Sequence, residues 1–192
     1  MFEKAVIYAT NAHNGQTRKG TNLPFIIHPM EVAAIVAAMT LDQDMLCAAV
    51  LHDVVEDCDG ISIEDIRREF GDIVASYVHQ ESEDKSKTWV ERKGHTIDFL
   101  KNRASRNAKI IALGDKLANI RALYRDYNIL GEELWERFTF FRMNFVSRTR
   151  KQVCWKMQSW YYRGMIEGFA DLSEFHEYEE YCQLVNEVFP EE

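Results

Sequence analysis

Residues 51–57 read LHDVVED, and they follow directly on the apolar residues Cys47–Val50. Four of these seven side chains can bind a proton or a metal ion: His52, Asp53, Glu56 and Asp57. Charged groups that are set among apolar residues are costly unless they are paired or coordinated. This stretch therefore predicts that residues elsewhere in the chain supply partners for it.

The bulk composition predicts one ordinary globular domain. The chain has 192 residues, of which 46% are hydrophobic and 12% aromatic, enough for a sizeable core. Its net charge of −8 argues against non-specific nucleic-acid binding, because nucleic acids favour positive surfaces. The four cysteines are widely spaced, which is typical of reduced thiols in the cytoplasm. Neither a signal peptide nor a membrane span is expected from the hydropathy pattern.

Helical periodicity dominates the chain, and no run alternates as a strand would. Nine glycines and three prolines are few for an all-β fold. We therefore expect an all-α fold in one compact domain, with a core at about 1–126 and C-terminal helices at about 131–190. Residues 13–29 and 81–88 are predicted loops. The predicted helices span residues 2–13, 30–39, 43–57, 61–70, 72–80, 89–102, 105–126, 131–166 and 171–189.

The charged stretch predicts a shared site because residues three and four apart lie on one helix face. His52 would then neighbour Glu56, and Asp53 would neighbour both acidic residues. Two further residues are candidate partners, although taken alone the histidine is better explained as a hydrogen-bonded core residue and the aspartate as a salt-bridge partner. They are His28, just before Pro29, and Asp115 in the apolar segment KIIALGDKLANI. Together these imidazoles and carboxylates favour manganese, iron or zinc over calcium or magnesium.

The chain resembles the HD-domain superfamily of metal-dependent phosphohydrolases. Within it, the chain is similar to the hydrolase domain of Rel/SpoT proteins and the small alarmone hydrolases, including the metazoan SpoT homologues. The resemblance spans residues 5 to about 125 and rests on six segments in the same order. They are AHNGQTRKG, FIIHPMEVA, AAVLHDVVEDCD, FGDIV, EDKSKTWVERK and KIIALGDKLANIRAL. It implies a compact multi-helix HD-domain fold for residues 1–192.

The resemblance also implies the roles of individual residues. One divalent metal, usually manganese in this family, would be bound by His28, His52, Asp53 and Asp115. Glu56 and Asp57 match the catalytic acidic pair. Arg18 and Lys19 match a basic pair near the nucleotide, and Asn119 matches a polar residue of its pocket. The chain departs from the family at Phe25, Cys58 and the segment after Val78, where other residues are usual.

The implied activity is hydrolysis of the 3′-pyrophosphate of guanosine alarmones, the nucleotides of the stringent response. Water would convert ppGpp or pppGpp to GDP or GTP and release pyrophosphate. Lys85, Lys87 and Arg150 are further candidates for contact with the phosphates. A solvated loop explains the two lysines equally well, and a solvated helix face is the favoured explanation for Arg150.

Two other functions stay open from the sequence. The same site could serve an HD phosphohydrolase that acts on ppApp, NADPH or a nucleoside monophosphate. Alternatively, a degenerate domain could bind a nucleotide without catalysis, although the intact set of ligands and acidic residues argues against this. The expected partner is a small nucleotide, with no nucleic acid and no membrane. The base preference, the native metal, the oligomeric state and the role of the acidic C-terminal helix are not determined by the sequence.

Overall fold

The computed structural model describes residues 1–81, 86–138 and 147–190. The structure is 78% helical, and the described residues contain no β-strand, which confirms the predicted all-α class. The α-helices are α1 Phe2–Ala12, α2 Ile27–Met39, α3 Gln43–Leu51, α4 Val54–Asp57, α5 Ile63–Phe70, α6 Asp72–Glu81, α7 Trp89–Asn102, α8 Arg106–Leu130, α9 Ser147–Gly168 and α10 His176–Val188. Within these described ranges, short 3₁₀ helices span Gly131–Arg137 and Ala170–Leu172. Among the described helices, none is long and apolar enough to cross a membrane.

The chain divides into two compact units. The first comprises Met1–Asp84 and Ser105–Ala118, and the second comprises Lys85–Ala104 and Asn119–Glu192. In the first unit, α3 contacts α1, α2 and α6, and α5 packs on α6. In the second, α9 contacts α7, α10 and the 3₁₀ helix Gly131–Arg137. That these residues form a single domain stays a prediction.

Local sequence signals account for several helix ends. Ser62 begins α5 with a capping box, since its hydroxyl accepts from the backbone N–H of Asp65 while the Asp65 carboxylate accepts from the N–H of Ser62. Gly71 ends α5 at a φ of +90°, a conformation that favours glycine. Thr88 and Glu91 form a second capping box at the start of α7. Both helices therefore have starts that are encoded in a few adjacent residues.

The predicted helix over 43–57 is wrong in one respect, because it is interrupted at His52 and Asp53. Helix α3 ends at Leu51 and α4 begins at Val54. Asp53 has φ −91° and ψ −9°, in the sparsely populated region between helix and strand that recurs at functional sites. In a regular helix, adjacent side chains point roughly 100° apart. With the interruption, Nε2 of His52 and Oδ2 of Asp53 lie 3.0 Å apart.

The second helix begins three residues earlier than the expected start at residue 30. Helix α2 begins at Ile27, so His28 and Pro29 lie in its first turn. Proline is tolerated there because the first N–H groups of a helix have no partner within it. The C-terminal predictions also differ at their ends. The predicted helix 131–166 starts as 3₁₀ helix before α9, with residues 139–146 outside the described part, and α10 begins at His176 rather than 171.

Gly114 lets α8 approach α2 closely inside the first unit. A Cβ atom at Gly114 would lie 2.7 Å from Cγ2 of Val36 and 3.5 Å from Cγ1 of Val32, and both valines are fully buried. A contact of 2.7 Å is closer than two carbon atoms can approach. The absence of a side chain at Gly114 therefore sets the distance between the two helices, one residue before Asp115.

Gly114→Ala should destabilise the protein. The new methyl group must displace Val36, whose branched side chain has little freedom in a helix. Overpacking of this kind costs about 1–3 kcal/mol, which outweighs the roughly 0.5–1 kcal/mol that alanine gains over glycine inside a helix. Urea unfolding should show a lower midpoint. Gly94→Ala is the matched control, since a Cβ there would meet Trp160 at an ordinary 3.9 Å. Equal midpoints for both variants would contradict the proposed contact.

Candidate metal centre and active site

Four side chains from three distant stretches of the sequence converge in the first unit. Nε2 of His28 lies 3.1 Å from Oδ1 of Asp115 and 3.5 Å from Oδ2 of Asp53. Nε2 of His52 lies 3.0 Å from the same Asp53 oxygen and 3.6 Å from the same Asp115 oxygen. His28, His52 and Asp53 offer ligand atoms within 4.8 Å of one another, the spacing of a metal site. The structure thus brings together the four residues predicted as ligands.

Three separate parts of the fold carry these side chains. His28 lies in the first turn of α2, His52 and Asp53 lie in the break between α3 and α4, and Asp115 lies in α8 after Gly114. Both histidines are 3% exposed and Asp115 is 6% exposed, whereas Asp53 is half-buried. Asp53 therefore forms the more accessible side of the cluster.

The hydrogen bonding of His52 indicates where a cation would bind. Its Nδ1 lies 2.8 Å from the carbonyl oxygen of Ala49 and donates to it, so a neutral ring carries its lone pair on Nε2. That Nε2 is buried and, within the described residues, has no hydrogen-bond partner, although two carboxylate oxygens lie close to it. Lone pairs that face one another repel unless a cation lies between them. The donor set of two imidazole nitrogens and carboxylate oxygens therefore fits a divalent metal.

The pKa shifts of His52, Asp53 and Asp115 also show that this cluster favours a positive charge. Burial alone would lower the pKa of His52, but the Asp53 and Asp115 carboxylates outweigh it and raise that pKa well above its usual range. Burial would raise the pKa of Asp53, but His52 holds it below its usual range. Burial likewise opposes ionisation of Asp115, yet Lys116 and the two histidines hold its pKa well below the usual range. Both carboxylates are thus available as charged ligands.

Lys116 is a member of this region that the sequence analysis did not identify. Its ammonium group pairs with Oδ2 of Asp115, and its side chain is only 14% exposed. The pairing occupies one carboxylate oxygen while Oδ1 faces the two histidines. A lysine directly after the predicted ligand in an apolar helix was the available signal for it.

Glu56 and Asp57 lie on α4, the short helix that directly follows His52 and Asp53. Glu56 is half-buried and Asp57 is exposed. The N–H of Asp57 donates to the carbonyl of Asp53 over 2.8 Å, so the acidic pair is joined to a predicted ligand within one turn. The pair is thus placed beside the cluster, while its catalytic role stays a prediction.

The loop before α2 carries Arg18 and Lys19 in a small hairpin. An isolated antiparallel bridge joins Thr17 to Pro24, and the N–H of Arg18 donates to the carbonyl of Leu23 over 2.9 Å. The Arg18 guanidinium lies over the ring of Phe25, 5.9 Å from its centre. Phe25 in turn meets the ring of His28 edge-on at 5.9 Å. The structure thus links half-buried Arg18 to a predicted ligand through one aromatic ring.

The remaining predicted substrate contacts lie outside the described part of the first unit. Lys87, Asn119 and Arg150 belong to the second unit, and Lys85 lies outside the described residues. Asn119 follows Asp115 by four residues on α8, whose last part belongs to that unit. Their contacts with a substrate stay predictions.

The fold is all-helical in the described residues, and its cluster of two histidines and two aspartates could hold a metal ion. The model of the HD domain family matches residues 5–132, and the chain belongs to that family. The matched region contains all four clustered side chains. The histidine–aspartate pair at residues 52–53 lies at the break between α3 and α4, at the centre of that cluster.

Curated relatives share this part of the chain. A guanosine-3′,5′-bis(diphosphate) 3′-pyrophosphohydrolase of Vibrio cholerae is 40% identical over 127 residues, covering 64% of this chain and 18% of that protein. The Drosophila melanogaster pyrophosphohydrolase MESH1 is 40% identical over 125 residues, covering 64% of this chain and 69% of that protein. The match thus spans under a fifth of the bacterial relative but about two thirds of the fly protein.

Solved structures extend the similarity to the fold. One belongs to a metazoan orthologue of SpoT described as hydrolysing ppGpp; it has a TM-score of 0.70 and 28% identity, covering 98% of this chain and 93% of that one. A Listeria monocytogenes protein also has a TM-score of 0.70, with 29% identity, and covers 85% of this chain and 99% of that one. The likeness to the SpoT orthologue includes the region beyond the family match.

Proposed function

We propose that this protein is a metal-dependent phosphohydrolase that removes the 3′-pyrophosphate group of ppGpp and pppGpp. The observation that carries the proposal is the cluster of His28, His52, Asp53 and Asp115, in which Nε2 of His52 faces two carboxylate oxygens. The relatives named as guanosine-3′,5′-bis(diphosphate) 3′-pyrophosphohydrolases support the choice of substrate.

The four clustered residues would hold one divalent ion, and we propose manganese as the native metal. Mixed imidazole and carboxylate donors suit first-row transition metals, whereas calcium and magnesium favour sites built from oxygen alone. When bound, such an ion polarises a phosphoryl oxygen and lowers the pKa of water. The two ionised aspartates carry two negative charges, which a divalent ion would neutralise, while the two histidines would bind it through neutral nitrogen atoms.

Glu56 and Asp57 would handle protons in the reaction. A water oxygen forms a bond to the phosphorus next to the ribose 3′-oxygen, and the bond from that phosphorus to the 3′-oxygen breaks. One carboxylate accepts the proton that the attacking water loses, and the departing 3′-oxygen takes up a proton. The products are pyrophosphate and GDP or GTP. Half-buried Glu56 is proposed as the base, because this residue is less exposed to solvent than Asp57.

Arg18 and Lys19 would bind the phosphates of the substrate. The chain carries 31 acidic and 23 basic residues, so its overall field repels polyphosphates and local cations must overcome that repulsion. Arg18 can form two parallel hydrogen bonds to one phosphate, while Lys19 acts as a point charge. A cation–π interaction with the face of the Phe25 ring would hold the Arg18 guanidinium in place. Asn119, Lys85, Lys87 and Arg150 are proposed as further contacts.

Arg18→Ala should raise the KM for ppGpp by roughly 10- to 100-fold, the equivalent of about 1.5–3 kcal/mol for hydrogen bonds to a charged group. Steady-state kinetics with ppGpp would measure the change. Bis-p-nitrophenyl phosphate, which lacks the nucleotide, is the control substrate, and its hydrolysis should change much less. Equal losses on both substrates would show that Arg18 acts on folding or on the chemistry instead.

The substrate itself is tested by product analysis. The manganese-loaded protein is incubated separately with ppGpp, ppApp and NADPH, and the products are separated by ion-exchange chromatography. Release of pyrophosphate and GDP from ppGpp at the highest kcat/KM supports the proposal. Preferred turnover of ppApp or NADPH would show that the site acts on another nucleotide. No turnover of any nucleotide would favour a domain that binds a nucleotide without catalysis.

We also propose that the protein acts in the cytoplasm. All four cysteines are free thiols, and Cys47, Cys58 and Cys154 are buried. Persistent free thiols are typical of a reducing compartment.

A further inference from the structure

Gln16 connects the cation-bearing hairpin to the turn that carries the acidic pair. Its side-chain Nε2 donates to the carbonyl oxygen of Asp57 over 2.8 Å and lies 3.8 Å from Sγ of Cys58. Its backbone carbonyl accepts from the N–H of Phe25 over 3.0 Å, which closes the hairpin that contains Arg18. One half-buried residue therefore bonds to both segments, and 41 positions separate Gln16 from Asp57.

His13 determines which way the Gln16 amide is turned. Nδ1 of His13 lies 2.8 Å from Oε1 of Gln16, and only a donor there suits the oxygen. With Oε1 held by His13, the amide nitrogen must face Asp57. His13 is itself held in place, because it is 3% exposed and its ring packs on Phe25 with centres 4.6 Å apart. A buried imidazole therefore orients the donor for the carbonyl of Asp57.

The carbonyl that Gln16 holds belongs to the end of α4. Helix α4 has only four residues, Val54–Asp57, too few to be stable by itself. The N–H of Asp57 bonds locally to the carbonyl of Asp53, whereas the bond from Gln16 links the helix end to a segment 41 positions away. Movement of this turn would move the Glu56 and Asp57 carboxylates relative to His52 and Asp53.

We propose that Gln16, oriented by His13, is a positioning residue that holds the Glu56–Asp57 turn in place for proton transfer. The inference rests on the proposed function for the meaning of the acidic pair, but the contact itself is independent of the substrate. Gln16 bonds to the main chain of the turn, so it acts on the chemical step through the acidic pair. Binding of the nucleotide phosphates depends on Arg18 instead.

Kinetics separate these two effects. Gln16→Leu keeps the approximate size of the side chain and removes both polar atoms. Its kcat should fall about 10- to 100-fold, the scale seen when supporting hydrogen bonds around a site are lost, while the KM for ppGpp changes little. Asn11→Leu, which replaces an exposed amide near the end of α1, is the matched control and should keep the native kcat. An unchanged kcat for Gln16→Leu, or a change confined to KM, overturns the proposal.

A pair of His13 variants tests the orientation of the amide. In His13→Asn, the amide nitrogen can take the place of Nδ1 and donate to Gln16, whereas His13→Leu has no donor. The asparagine variant should retain several-fold more kcat than the leucine variant, with thermal unfolding recorded for both. Equal kcat values for the two variants would remove His13 from the proposal.

Hydrogen exchange tests the contact without any substrate. Amides of residues 54–61 should exchange faster in Gln16→Leu than in the native protein, while α10 keeps its native protection. Unchanged exchange in residues 54–61 refutes the positioning role, whatever the kinetics. If the native protein leaves ppGpp intact, the proposed function fails, and the exchange experiment still decides the role of Gln16.

Discussion

Replacing Asp53 with alanine is expected to leave the protein folded but without stoichiometric metal. The variant removes the oxygen that lies 3.0 Å from His52 and 3.5 Å from His28, so both imidazoles lose a shared anionic neighbour. Loss of the metal should lower turnover on the order of 1,000-fold or more, since a bound ion contributes several kcal/mol to stabilising the transition state. Metal analysis after gel filtration, together with ppGpp turnover, would measure both effects.

The neighbouring Asp59 provides the matched control. It is exposed and lies just beyond α4, so Asp59→Ala should keep both the metal and the activity. Circular dichroism of both variants would verify that the helices remain. Stoichiometric metal in folded Asp53→Ala would show that Asp53 is not a ligand.

The second large effect is expected from Glu56→Gln. This change keeps the size of the side chain but removes its capacity to accept a proton at neutral pH. Turnover should fall at least roughly 100-fold, the lower end for a positioned acid–base group, while metal content and nucleotide affinity stay native. Rapid-quench kinetics and isothermal titration with ppGpp would separate the two quantities.

Asp57→Asn indicates which of the two carboxylates accepts the proton. Because Asp57 is exposed while Glu56 is half-buried, the asparagine variant should lose less turnover than Glu56→Gln. A larger loss of turnover in Asp57→Asn than in Glu56→Gln would show that Asp57 accepts the proton. Near-native turnover in both variants would mean that the reaction needs neither carboxylate as a base.

The helical class was predictable because its signals are local. Apolar periodicity, the capping box at Ser62 and the glycine at position 71 each act within a few residues, and each is present in the structure. The break at His52 could not be predicted in this way, because the pattern of residues 43–57 suits a continuous helix. There, close approach between His52 and the carboxylates of Asp53 and Asp115 accompanies the departure from regular geometry.

The four clustered residues were identified from the sequence because each is a polar group in an apolar surrounding. His13 and Gln16 were missed for the opposite reason, since a histidine or glutamine in a polar loop has no conspicuous local pattern. Lys116 was missed although it directly follows Asp115 in an apolar helix. Their importance lies in contacts across the fold, such as the bond from Gln16 to Asp57. Gly114 was missed likewise, because its role is to leave space for Val36.

The close approach of α8 to α2 at Gly114 also bears on the order of folding. The segments that carry His28, His52 and Asp53 precede residue 58, whereas Asp115 belongs to a helix that begins only at Arg106. Local helices form within microseconds, but contacts between distant segments must first overcome the entropy of closing a long loop. A nascent chain that has not yet docked α8 through Gly114 therefore holds three of the four clustered side chains. The complete cluster is then a product of tertiary assembly, and its appearance marks the point at which the first unit has closed.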